Sequence, residues 1–319
     1  MARDGQAPPN GGFVNVYKPI GAGSTQIVGR VRRAVGVRRV GHCGTLDPLA
    51  WGVLPLAIGR ATRLSSFVLD MPKTYEAAVL FGVETPSCDL ETHPTAEPRP
   101  PPGPGTVEQV LPSFIGAIEQ RPPEYSALRV DGVRAYRSAR AGRPLDLSPR
   151  RVHVRALHLV AAGRIGVRMV GGRLQLGGGV GWSDALLVGL RIECSSGTYI
   201  RALARDLGAA IGCGATLFGL ARTRVGPFTL RAATELWQLK IAASQGFLDT
   251  LLYAPDTVVE HVPSAILSDS DRVEFGHGRP LKRAASGLHR LYDGDGSFLG
   301  LAHGDAGCWT PRLVWKTPQ

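Results

Sequence analysis

The chain has 319 residues, 44% of them hydrophobic and 20% charged, the balance of an ordinary globular protein with room for one large domain and a small one. Thirty-seven Lys and Arg against 26 Asp and Glu give a formal net charge of +11, and a folded chain with that excess spread along it points to a polyanion, nucleic acid first. Five scattered cysteines without a C-x-x-C pair argue against a disulfide framework or a zinc site, and the missing h-region and bilayer-length apolar run argue against secretion or membrane insertion, so a cytoplasmic protein is expected.

Residues 1–12 are polar, with Gly and Pro, and are expected to be disordered. FVNVYKP (13–19) alternates as a short strand stopped by Pro19. STQIVGRVRRAVG (24–36) places Ile27, Val28, Val31 and Val35 on one helical stripe. Arg30, Arg32 and Arg33 lie off it, with Arg38 and Arg39 following. Short apolar runs with Gly and Pro fill 47–83, where KTYEAAVLFGV reads as a strand. The proline-rich PTAEPRPPPGPG (94–105) reads as a linker or exposed loop. TVEQVLPSFIGAI (106–118) has a helical pattern with Thr106 as N-cap. PPEYSALRVDGVRAYRSARAG (122–142) predicts strand, Asp131-Gly132 turn, strand and a basic helix. RVHVRALHLVAAG (151–163) alternates as a strand. The Gly-rich 164–186 reads as a long hairpin or inserted loop, DALLVGLRIECSSG (184–197) as a buried strand, and TYIRALARDLGAAIG (198–212) as a helix. Beyond residue 260, SDRVEFGHGRPL, GLHRLYDGDGSFLGLAH and PRLVW read as short strands, with a hairpin signal at 293–296.

GHCGTLDPLA (41–50) concentrates the chemistry. Asp before Pro is a frequent helix start, the carboxylate capping backbone N–H groups. Against that reading, Gly41 and Gly44 permit close backbone approach, His42 adds a ring that can stack, and the arginines just upstream would draw a phosphate chain to the loop. Asp47 is thus either a cap or a working carboxylate.

GHCGTLDPLAWGVLPLAIGRAT (41–62) resembles the signature of the bacterial TruB-type tRNA pseudouridine synthases. KPIGAGS (18–24), KTYEAAVLFG (73–82), PPEYSALRVDGVRAY (122–136), SSGTYIRALARDLG (195–208) and GCGATLFGLARTRVG (212–226) continue the likeness in family order. The first block is long and specific; the others are weak singly. TPRLVW (310–315) and the strands before it resemble, more loosely, the PUA-like domain these enzymes carry.

The resemblance implies an α+β fold. It consists of a mixed, mainly antiparallel central sheet flanked by helices (13–258, with an insertion at about 164–183) and a small C-terminal PUA-like β-barrel (259–319). It implies isomerisation of uridine-55 in the tRNA T-loop to pseudouridine, with the base flipped out, by a monomer with no metal or other cofactor. Asp47 takes the place of the family's essential aspartate. Arg201 matches the arginine paired with it, which would orient the carboxylate and hold its charge. Tyr75 matches the tyrosine packed on the target uracil; its hydroxyl could also move a proton. Tyr199 and Leu220 match positions lining the base pocket, and His42 the histidine contacting the T-loop. Arg30, Arg32, Arg33, Arg38, Arg39, Arg129 and Arg134 are candidate phosphate contacts.

Cys43 replaces the usual Thr of the signature, losing a hydroxyl. Pro86 replaces an acidic residue in TPSCD (85–89), whereas Asp89 remains. Arg129 stands where lysine is frequent. Two other readings stay open on sequence: a silent RNA-binding protein on the same scaffold, and an aspartate-nucleophile hydrolase of a small substrate.

Overall fold

A computed structural model describes residues 11–130 and 132–315. The expected disordered start lies outside the described residues up to residue 10, and Asp131 of the expected turn lies outside them too. The first part of the chain forms β1 (Gly12–Lys18), α1 (Ser24–Val35), β2 (Val40–His42), β3 (Trp51–Ile58), α2 (Ser65–Asp70) and β4 (Lys73–Phe81). There follow α3 (Pro104–Val110), β5 (Gly116–Gln120), β6 (Arg129–Val130), β7 (Val133–Arg134) and α4 (Ala135–Arg140). Next come β8 (Arg150–Val170), β9 (Arg173–Gly177), β10 (Ser183–Cys194), α5 (Ile200–Ile211), β11 (Ala215–Val225), β12 (Phe228–Thr229) and α6 (Leu236–Gln245). The C-terminal part holds β13 (Ser264–Ile266), α7 (Asp269–Gly276), β14 (Leu281–Lys282), β15 (Gly287–Tyr292), β16 (Phe298–Asp305) and β17 (Cys308–Val314).

The large sheet runs β1-β3-β11-β4-β10-β8-β5, with β2 beside β3, β12 beside β11 and β9 beside β8. Its pairings are antiparallel except at β3–β11, where Ala221 and Arg222 run parallel to Trp51 and Gly52. That is the mixed, mainly antiparallel sheet expected. The backbones are close at this seam. Gly52 sits at φ +106°, and a Cβ there would lie 2.3 Å from the Arg222 carbonyl oxygen, so only glycine fits.

One face of the sheet carries the main core. The predicted stripe Ile27, Val28, Val31 and Val35 of α1 is buried against it, with Leu203 and Leu207 of α5 and Leu239 of α6. Gly36 ends α1 in the left-handed conformation at φ +68°, as a C-terminal glycine should. Fully burying each such aliphatic side chain is worth about 1.5–3 kcal/mol. On the other face Phe13, Val53, Ala57, Val225 and Phe228 pack with Val258, Val259, Leu301, Leu313 and Trp315. That second cluster fastens the C-terminal five-stranded sheet, β13-β15-β16-β17-β14, to the main body.

Two local expectations are corrected. The helix expected over 106–118 spans Pro104–Val110, with Gly103 rather than Thr106 at its N-cap. Pro112 and Gly116 stop it, Gly116 adopting φ +96°, and 116–120 joins the sheet edge as β5. SDRVEFG, expected as strand, is helix α7, capped by Ser268 Oγ accepting the Asp271 N–H at 3.2 Å. The serine cap and the first-turn acids Asp269 and Asp271 favour that helix over strand alternation. The Gly-rich insertion is the far end of the β8–β9–β10 arm. It curls so that Val167 and Ala185 cover Leu80 and Val83, with Leu174 and Phe218 packed on them.

Candidate active site

The loop between β2 and β3 carries Asp47 and is tied down on three sides. Cys43 donates its N–H to the Pro55 carbonyl at 2.9 Å, and Gly44 turns the chain at φ +119°. Ser24 Oγ, at the start of α1, both accepts from the Leu46 N–H and donates to the Leu46 carbonyl, each at 2.9 Å. Gly21 donates its N–H to the Pro48 carbonyl at 2.8 Å. Asp47 opens a turn closed by the Ala50 N–H on its own carbonyl at 3.1 Å. No helix starts here, which removes the helix-cap reading of Asp-Pro. The Cys43 side chain is fully buried in the apolar cluster under the loop, and burial pushes its thiol up to about 11, so it stays neutral in place of the usual threonine.

Arg201 comes from the first turn of α5 and is buried. Its Nε lies 2.9 Å from Asp47 Oδ2 and its Nη1 3.5 Å from Asp89 Oδ2. The Nε contact is an ion pair by distance without the alignment of a hydrogen bond. Nη1 also donates to the Tyr125 carbonyl at 3.0 Å. Asp89 is the closed partner: Oδ1 accepts from Ser87 Oγ at 2.6 Å and from the Glu91 N–H at 2.9 Å. Burial raises its carboxyl, with Ser87 and Arg201 working against that rise. These bonds show that TPSCD keeps an ordered turn despite Pro86.

A cleft of about 350 Å³ lies over this pair, lined by Asp47, Tyr75, Tyr199, Arg201, Leu220, Lys73 and Arg222 among others. Five of the six residues singled out from the sequence therefore share one wall-to-wall space. Tyr75 and Arg222 stand opposite each other across β4 and β11, and burial raises the Tyr75 phenol against the pull of the Arg222 charge, which keeps it protonated. Tyr199 donates its backbone N–H to Gln120 Oε1 at 2.8 Å; burial raises its phenol too. Leu220 supplies a buried apolar wall.

His42 faces an adjoining cavity of about 640 Å³, which shares Asp47 and Arg201 with the cleft and is lined by Tyr125, Arg129, Arg134 and Arg140. Burial, then the Arg222 charge, lowers its imidazole. Of the other candidate arginines, Arg30, Arg32, Arg33, Arg38 and Arg39 are exposed on α1 and the turn after it, outside both cavities.

Three buried cations at the site escaped the sequence reading. Arg222 donates through Nε to the Val53 carbonyl at 2.8 Å, and through Nη1 and Nη2 to the Thr45 and Gly44 carbonyls at 3.2 Å each. Lys18 is fully buried and donates to the carbonyls of Ala22 at 2.7 Å and Pro19 at 3.0 Å. Burial brings its ammonium down to about 8, Asp47 opposing the fall. Lys73 donates to the Met71 carbonyl at 2.6 Å and to Leu69, and burial lowers it to about 8. A period-two reading of β11 would have found Arg222, which falls on the inward face two residues after Leu220. Among the described residues no group of three or more His, Cys, Asp or Glu gathers as a metal site, and no helix is long and apolar enough to cross a membrane.

Comparison with known proteins gives the chain's family and fold. Residues 32–200 match the model of the TruB family pseudouridylate synthase N-terminal domain, and residues 201–260 that of the tRNA pseudouridylate synthase B C-terminal domain. The tRNA pseudouridine synthase B of Thiobacillus denitrificans is 38% identical over 310 residues, 97% of this chain and 97% of that protein. That of a Caulobacter species is 38% identical over 281 residues, 88% of this chain and 84% of its own. Among solved structures, one chain of a Cbf5-Nop10-Gar1 complex superposes with a TM-score of 0.68 at 22% identity, over 97% of this chain and 86% of that one. A chain of an H/ACA RNP bound to a substrate RNA containing 2'-deoxyuridine superposes with a TM-score of 0.65 at 21% identity, over 99% and 91%. At those identities the likeness is one of fold. It covers the mixed sheet and the curled C-terminal sheet, which is consistent with a PUA-like domain.

Proposed function

The chain belongs to the TruB family of pseudouridylate synthases, isomerases that act on tRNA, and we propose that it converts uridine-55 of the tRNA T-loop to pseudouridine through Asp47. The observation that carries this is the Asp47–Arg201 pair, 2.9 Å apart, on the wall of a cleft of about 350 Å³ beside Tyr75, Tyr199 and Leu220. A carboxylate set against a buried guanidinium is oriented before any substrate arrives.

The N1–C1′ bond of the uridine breaks, the uracil turns, and C5 bonds to C1′. The proton on C5 leaves and N1 ends protonated, so nothing is oxidised and no group is imported. Asp47 serves the ribose or the base as nucleophile or as counter-charge. Tyr75 packs on the ring, a contact worth about 1–3 kcal/mol. The target must leave its stack to enter the cleft, at a cost of a few kcal/mol. Phosphate contacts offset that cost, and Arg129, Arg134 and Arg140 around the neighbouring cavity are placed to make them next to His42. Residues 13–258 form the catalytic domain in this reading, and 259–319 extend the RNA surface.

A tRNA transcript carrying tritium at uracil C5 tests the proposal. The protein is expected to release tritium from the wild-type transcript and none from one with cytidine at position 55. Release from both transcripts would move the site elsewhere in the tRNA.

A further inference from the structure

Arg222 is the largest fully buried side chain described in the molecule, and none of the roles above uses it. Its guanidinium has all three nitrogens committed, to the carbonyls of Val53, Thr45 and Gly44. Among the described residues no carboxylate lies within salt-bridge distance of it. A buried cation with no counter-charge is expensive, and a packed apolar residue would hold β11 in the sheet at lower cost. What the arginine supplies instead is position. Val53 lies on β3 across the parallel seam, whereas Gly44 and Thr45 belong to the loop that ends in Asp47. One planar group thus fixes the loop to the seam at Gly44, where the chain turns at a φ of +119°. The same side chain stands opposite Tyr75 and lines the cleft.

We propose that Arg222 is a positioning residue of the isomerisation: it sets the carboxylate of Asp47 through the Gly44 and Thr45 carbonyls, and it holds Tyr75 against the same seam. The inference rests on the function proposed above. It assigns Arg222 no contact with RNA phosphates, so its effect falls on the chemical step and not on binding. Lysine keeps the charge at this position but cannot serve three carbonyls in one plane.

The test compares Arg222→Lys, Arg222→Gln and Arg222→Ala with the unaltered protein by single-turnover tritium release, tRNA Kd and thermal melting. Each variant is expected to lose about 100-fold or more in single-turnover rate, with Kd held within a small factor. Millimolar guanidinium, below denaturing levels, is expected to restore part of the Arg222→Ala rate by refilling the cavity, and to do nothing for Asp47→Asn. Rates near that of the unaltered protein would overturn the proposal. So would a parallel loss of rate and RNA affinity, an Arg222→Ala rate that guanidinium leaves unchanged, or variants that fail to fold, since each assigns Arg222 to scaffold alone. Absence of tritium release from the unaltered protein would instead overturn the isomerase reading on which the proposal stands.

Discussion

Arg201 Nε stands 2.9 Å from Asp47 Oδ2 while Nη1 of the same guanidinium stands 3.5 Å from Asp89 Oδ2. The two carboxylates differ in access: the Asp47 side chain is 32% exposed, that of Asp89 only 2%. One cation therefore serves an open acid that faces the cleft and a closed acid that fixes the arginine from behind.

The closed acid should act on stability first. Removing one partner of a buried pair typically costs about 3–5 kcal/mol, so Asp89→Ala is expected to lower the free energy of urea unfolding by that order, the midpoint falling with it, and to reduce turnover. Asp89→Asn, which keeps the shape and an acceptor for Ser87 and the Glu91 N–H, should lose less stability. Unchanged midpoints for both would separate Asp89 from Arg201.

Tyr75 offers a ring and a hydroxyl, and one substitution separates them. Burial keeps the phenol protonated, so it is available to move a proton. Tyr75→Phe keeps the ring in place and is expected to cut kcat by roughly 10²–10⁴ with KM little changed, the usual range for a lost acid–base group. A loss confined to KM would leave Tyr75 a stacking platform only.

Most of this arrangement was legible in the sequence, and unevenly so. The signature loop, the helix with Arg201 and the strand with Tyr75 carry local patterns, and five of the six residues named from them line one cleft. His42 belongs to the neighbouring cavity instead. What stayed hidden depends on tertiary contact. Asp89 acquires its partner from a helix more than a hundred residues away, and Lys18, Lys73 and Arg222 look like solvated cations until the packing buries them. The errors are local: the helix pattern read over 106–118 runs past Pro112 and Gly116, and the segment SDRVEFG, read as strand, is a helix capped by Ser268. The stretch at 164–183 reads from the sequence as a long hairpin or an inserted loop, but its task of covering Leu80 and Val83 is a matter of curvature that no periodicity records.

Lys18 should leave a pH signature. In the folded protein burial brings it to about 8 from an ordinary 10.5. Between those values the unfolded chain binds more protons than the folded one, so this group's contribution to stability rises with pH. Its burial cost is fully present below about 8 and relieved towards 10.5. Cys43 and Cys194, each raised from 9.0 to about 11, act in the opposite sense, so the comparison must be with Lys18→Met. The stability difference between the unaltered protein and Lys18→Met is expected to move towards the unaltered protein across that window. A difference that does not vary with pH would contradict the burial of its charge.

Gly52 tests the seam under the site. Gly52→Ala meets the Arg222 carbonyl at 2.3 Å and a φ of +106°, and backbone strain of this kind costs about 1–3 kcal/mol before any clash is relieved. A lower melting temperature and slower tritium release are expected together. Normal stability and rate would show that β3 and β11 tolerate separation at the point where Arg222 crosses.

The account turns on the charge of one side chain, and Asp47→Asn removes that charge while keeping the shape. Single-turnover tritium release from uracil C5, with tRNA binding measured on the same preparation, is the direct test. The expected result is a rate lower by roughly 10⁴-fold or more with affinity for tRNA retained. A variant that binds tRNA and still releases tritium at a rate close to that of the unaltered protein would contradict the account at its centre.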